Sequence, residues 1–170
     1  MTNRSLIRVN QKLAQARELL KASDTESISP IQTDSILEAV AFHLVCAYRH
    51  YLRELAEVYS VNHIDDFNNE SELVKALQAK AKHPAEADEL VNLRTDQYSW
   101  LSQLHNYYNS LWKIPATSKA HDHDHDDALI KIVDIDSVNE IPPVTLLVVA
   151  SWHLSFIDLI RRQRETSAEF

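Results

Sequence analysis

Apolar residues recur along most of this chain at helical spacing. Leu6, Val9, Leu13, Ala16 and Leu20 step by threes and fours, which places them on one stripe of a helix over about residues 2 to 22. The polar turn Ser23 to Ser27 ends it. Ser29-Pro30-Ile31-Gln32 reads as a new start: Ser29 caps, Pro30 suits the first helical position and Gln32 completes a capping box. The helix that follows spans about 30 to 60, and its face of Leu37, Val40, Ala41, Leu44, Tyr48, Tyr51, Leu52, Leu55 and Val58 is wide enough for two neighbours. Leu73, Val74, Leu77 and Ala81 mark a short third helix, about 70 to 82, stopped by Pro84. With Pro84 at its first position, a further segment runs through Leu90, Leu93, Leu101, Leu104, Tyr108 and Leu111 to about 112; Thr95 and Asp96 are its weak point, with Asp96 available as a fresh cap. Pro142 and Pro143 open a last helix to about 166, whose core face is Leu146, Val149, Ala150, Phe156, Ile157 and Ile160.

Four long amphipathic segments and one short one predict an all-α fold: an antiparallel four-helix bundle with one short extra helix and a long crossover loop, about 113 to 141, before the last helix. A length of 170 residues, 45% of them hydrophobic, suits a single domain with a real core.

Composition changes the picture mainly by exclusion. Average usage of about 7% would place about 12 glycines in such a chain, and there are none. Phosphate-cradling loops, dinucleotide-binding turns and nucleophile elbows all need glycine where backbone approaches a ligand or takes positive φ, so those sites are ruled out. A single cysteine, Cys46, excludes an internal disulfide and any multi-cysteine metal site; on a helix flank it reads as packing. The formal net charge of -8 argues against nucleic acid, and the one basic cluster, Arg161, Arg162 and Arg164, reads as complementing a helix C-terminus. The longest apolar run, from Val144 to Trp152, is too short to cross a bilayer, and nothing at the N-terminus resembles a secretory leader, so a cytoplasmic location without membrane contact is expected.

Two histidine sets carry candidate chemistry. In His121-Asp122-His123-Asp124-His125-Asp126-Asp127, an extended backbone turns His121, His123 and His125 to one side, a donor set that suits weak zinc or nickel binding; no resident cofactor is expected. Within the helices, His153 falls inside an apolar face while His43 and His105 sit at the edges of theirs, which makes them buried polar candidates, with Asn10 and Arg17 as partners. His50 and Glu54, four apart, read as an exposed pair. Phe42, with Val45 near it, projects from the second helix opposite Leu44, and Ile132 centres an apolar stretch, Leu129 to Ile135, that has no strand to pair with. Such groups need a cover: the short helix over Phe42, an apolar strap for the stretch, or a second copy of the chain. A homodimer through one of the two surfaces is expected.

Arg8-Val9-Asn10-Gln11-Lys12-Leu13, Ala41-Phe42-His43-Leu44, Ser99-Trp100-Leu101 with Leu104, and Ser151-Trp152 ahead of the arginine-rich end occur in that order. Together they resemble a bacterial domain-of-unknown-function family, number 6586, over nearly the whole chain. The resemblance implies a small helical protein and supplies no activity, cofactor or catalytic residue. The expected role is a non-catalytic interaction or regulatory module, with metal or small-ligand binding as the alternative.

Overall fold

A computed structural model describes residues 4–24, 28–61, 67–114 and 143–167, and among these the chain is all helix, without a strand. Helix α1 is Arg4–Ala22, α2 is Pro30–Val58, α3 is Glu70–Gln78, α4 is Ala85–Thr95, α5 is Trp100–Ser110 and α6 is Leu146–Ser167.

The starts follow their side chains. Ser29 Oγ accepts from Gln32 N, and Gln32 returns the contact by accepting from Ser29 N, a complete capping box that launches the 29-residue α2. Asn69 caps α3 by accepting from Glu72 N at 3.0 Å. Two expected starts move. Pro84 is the residue before α4, outside the helix. The last helix begins after Thr145, whose Oγ1 accepts from Val148 N, and not at the prolines.

The segment expected as one helix over 84–112 is two, and the second is not capped by Asp96. Asp96 Oδ1 accepts from Tyr98 N and turns the chain, while Ser99 Oγ accepts from Ser102 N at 3.1 Å and donates to Leu93 O. Ser99 is thereby buried and joins the end of α4 to the start of α5.

Helix ends have an unusual solution in a chain without glycine. After α2, Ser60 takes φ 56°, Ser60 N donates to Glu57 O and Val61 N donates to Ala56 O. After α3, Ala81 takes φ 55°, Ala81 N donates to Gln78 O and Lys82 N donates to Leu77 O. Both are Schellman closures with the left-handed residue that glycine normally supplies. This closure, rather than Pro84, stops the third helix, earlier than the expected 82. Lys80 Nζ and Lys82 Nζ reach back to the carbonyls of Ser60 and Tyr59, so the two ends hold each other.

Helix α2 meets α1, α3, α5 and α6, and α1 lies closest along it, through buried Val9, Leu13 and Ala16. Small side chains on α2, Ala41 and Ala47 among them, are fully buried. Helix α6 packs on α1, α2 and α5, and Phe156 stands at the centre of an aromatic group, 5.4 Å from Trp100, 6.1 Å from Tyr51 and 6.3 Å from Tyr48. Ile157, expected in the core, lies at its rim, and Leu159 takes an inner place. No helix among the described residues is long and apolar enough to cross a membrane.

Candidate binding surfaces

His153 is buried on α6, and its Nε2 lies 3.0 Å from the carbonyl oxygen of Leu13 on α1. A carbonyl only accepts, so Nε2 carries the proton in this contact. Burial holds the imidazole below its ordinary pKa, and Arg17 nearby adds to the shift against the pull of the Leu13 bond. The expected partners of His153, Asn10 and Arg17, are not buried: both are exposed, because the buried stripe of α1 is narrow and α6 leaves them at the edge of a groove. Asn10 Oδ1 instead accepts from Arg164 Nη1.

That groove, about 430 Å³, runs between α1 and α6. Leu13, Ala14, Ile157 and Ile160 give it an apolar lining, and Arg17, Arg161 and Arg164 stand around it. Arg164 also reaches inward, where Nε and Nη2 donate to the two oxygens of Glu54. Glu54 is therefore not an exposed partner of His50; it is buried against a cation that arrives from the far end of the chain. The arginine cluster likewise does more than complement a helix dipole. Arg162 donates to Glu89 at 2.7 Å, tying α6 to α4, and Gln163 accepts from the Tyr51 hydroxyl at 2.6 Å. Helical spacing alone does not show these ties, because the partners lie 73 to 112 residues apart. One local signal was available: Gln163 falls on the inner stripe of α6, in step with Phe156 and Leu159.

The other histidines hold separate places. His105 on α5 points Nδ1 to Leu101 O at 3.0 Å and meets the Tyr48 ring edge on, 5.0 Å between centroids. Tyr48 donates to Glu70 Oε2 at 3.0 Å, and Arg94 Nε lies 3.4 Å from Glu70 Oε1. Burial, reinforced by Arg94, pushes the His105 pKa down to about 4. His43 on α2 is half-buried in a second hollow with Gln15, Arg17 and Leu19, and burial lowers its pKa too. Among the described residues no three His, Cys, Asp or Glu side chains are grouped to hold a metal ion. His121, His123, His125 and Ile132 lie outside the described residues.

Phe42 is 46% exposed, and the short helix expected as one of its covers does not lie over it. Lys12 of α1 sits 5.9 Å above its ring, while α3 packs elsewhere, on α2 and α4. Val45 is a correction: it belongs to the core, because α2 is covered by four helices and its buried face is wider than one stripe. Beside Phe42 lies a hollow of about 470 Å³ lined by Glu38, Ala39, Tyr108, Leu111 and Trp112, the last 76% exposed. Sequence reading missed Trp112 as a surface group, while Tyr108, placed on the apolar face, is half-buried against the core. Their four-residue spacing near the end of α5 was the available signal, and their rings meet edge on at 6.2 Å. Burial raises the Cys46 thiol above its ordinary pKa, as suits a packing residue.

No curated protein and no solved structure matches this chain. A family model described as a family of unknown function (DUF6586) matches residues 1–170, the whole chain, and the protein belongs to that family.

Proposed function

We propose that this chain is a non-catalytic interaction module that works as a homodimer in the bacterial cytoplasm, without nucleic acid or membrane. In this reading α4 and α5 act as one broken rod, and with α1, α2 and α6 they make an antiparallel four-helix bundle whose crossover loop is the stretch before the last helix. One observation supports the role: Phe42, Tyr108, Leu111 and Trp112 form an apolar hollow on the outer side of α2 and α5. Exposed aromatic groups gathered at one place are characteristic of interfaces, where they bury much area at small entropic cost. A second copy is the occupant in this proposal, because a twofold contact would set the same aromatic hollow against itself and cover Phe42 and Trp112 together.

Light scattering at micromolar concentration tests this directly. The unmodified protein should give twice the chain mass, and Phe42→Glu or Trp112→Glu should give the single chain mass with an unchanged helical circular dichroism spectrum. A monomer for the unmodified protein overturns the proposal.

A further inference from the structure

The groove between α1 and α6 has a chemistry of its own, and its residues are not those of the aromatic hollow. Its volume of about 430 Å³ falls within the roughly 300–1,000 Å³ typical of small-molecule sites. Leu13, Ala14, Ile157 and Ile160 line it with hydrocarbon, and the one carboxylate of Glu165 and three guanidinium groups border it. The three are not equivalent. Arg164 is committed to buried Glu54 and to Asn10, so it contributes a fixed wall. Arg17 has a 3.4 Å contact with its chain neighbour Glu18, and both side chains are about 60% exposed, at 59% and 61%. Arg161 pairs with Asp158 at 2.6 Å and with Glu165 at 3.6 Å, again with every partner more than half exposed.

Ion pairs in that much water hold little net free energy, so an incoming anion can replace them. A carboxylate is the anion that matches a guanidinium, since its two oxygens accept two parallel N–H bonds. The hydrocarbon lining sets the rest of the ligand. Leu13 and Ile160 form the buried floor of the groove while Ala14 and Ile157 are exposed, so a bare inorganic anion would leave Ala14 and Ile157 in contact with water, whereas an aliphatic or aromatic body covers them. His153 holds the site in shape, since its bond to the Leu13 carbonyl fixes α6 against α1 beneath the groove.

We propose that the α1–α6 groove binds a small organic carboxylate with an apolar body, its carboxylate held by Arg17 and Arg161 and its body laid on Leu13, Ala14, Ile157 and Ile160. The proposal is independent of self-association.

Octanoate is the probe. Titrated into the full-length protein and followed by amide NMR, it should give saturable shifts centred on residues 13, 14 and 157. Octanol and octylamine, which share the hydrocarbon body without the negative charge, should bind at least tenfold more weakly. Replacing both exposed arginines, Arg17→Gln with Arg161→Gln, should weaken octanoate at least tenfold while leaving octanol unchanged. Ala14→Phe, which fills the groove from its exposed edge, should abolish binding of all three probes. Equal binding of octanol and octanoate, unchanged octanoate binding in the double arginine variant, or saturable shifts centred elsewhere would each overturn the proposal, as would an absence of saturable shifts.

Discussion

Arg164 and Glu54 stand 110 residues apart in the chain and meet fork to fork, with Nε and Nη2 of the guanidinium donating at 2.7 and 2.8 Å to the two carboxylate oxygens. The Glu54 side chain is 4% exposed and that of Arg164 31%, so the carboxylate depends on the arginine more than the reverse. Removing one partner of a buried pair costs about 3–5 kcal/mol, since the other is left charged without solvent. Water reaches this arginine, so Arg164→Leu should cost about 2–3 kcal/mol. The double variant Glu54→Leu with Arg164→Leu should recover at least half of that loss, because it leaves no orphaned charge. Urea unfolding of the three proteins measures both terms, and a double variant less stable than Arg164→Leu would contradict this account.

His105 makes stability depend on pH. Its folded pKa is about 4, and unfolded histidine titrates near 6.5. Between those values the unfolded chain binds a proton that the folded chain refuses. Stability is therefore unaffected by this group above about pH 6.5, falls as pH drops from there to about 4, and levels off below. A gap of that size corresponds to a loss on the order of 3 kcal/mol. His153, His43 and His50 are shifted in the same direction, chiefly by burial, and steepen the fall. His105→Gln should flatten the fall between pH 6.5 and 4.5 relative to the unmodified protein in urea midpoints; parallel curves would remove His105 as its source.

Ser60 and Ala81 offer a test with a change of sign. A left-handed residue with a Cβ costs about 1–2 kcal/mol, and glycine removes that cost while adding disorder to the unfolded chain. Ser60→Gly and Ala81→Gly should each stabilise by about 0.5–1 kcal/mol, whereas Ala47→Gly, inside α2, should destabilise by about 1 kcal/mol or more. Thermal midpoints that fall in all three would show that the closures are not strained.

Close approach of α1 to α2 leaves little room at Ala16, which is fully buried. Ala16→Leu should cost about 1–3 kcal/mol through overpacking, although leucine is the more apolar residue. A gain in denaturation midpoint would mean that the interface holds unfilled space.

The His-Asp run is read as a weak metal ligand without a structural role. Replacing His121, His123 and His125 by alanine should leave the thermal midpoint unchanged, with and without zinc. A zinc-dependent rise that the replacement abolishes would assign the run a true metal site.

Helices were legible where the residues that specify them are neighbours. The capping box at Ser29, the stripe of α1 and the inner face of α2 follow from spacings of three and four, except that Val58, expected on that face, is exposed at the end of the helix. The break at Asp96 was legible and the start at Ser99 was not, because the cap depends on a serine that also reaches back to Leu93. The candidate sites were less legible for a related reason. Periodicity assigns a residue to a face without saying what stands opposite. Asn10 and Arg17 flank an apolar stripe, yet α6 does not cover them. Glu54 looks like a solvent residue from its neighbours in α2, and only Arg164 explains why it is inside.

The same long reach has a kinetic consequence. Helices α1 and α2 are joined by a short connection and pack closely, so that pair closes a small loop, whereas docking α6 brings Arg164 to Glu54 across 110 residues. Contacts over such separations carry a large closure entropy and are expected late in folding. Substitutions along α6 should then act mainly by accelerating unfolding, and those between α1 and α2 by slowing folding. The half-life of the folded molecule is on this account set by how firmly its last helix is held.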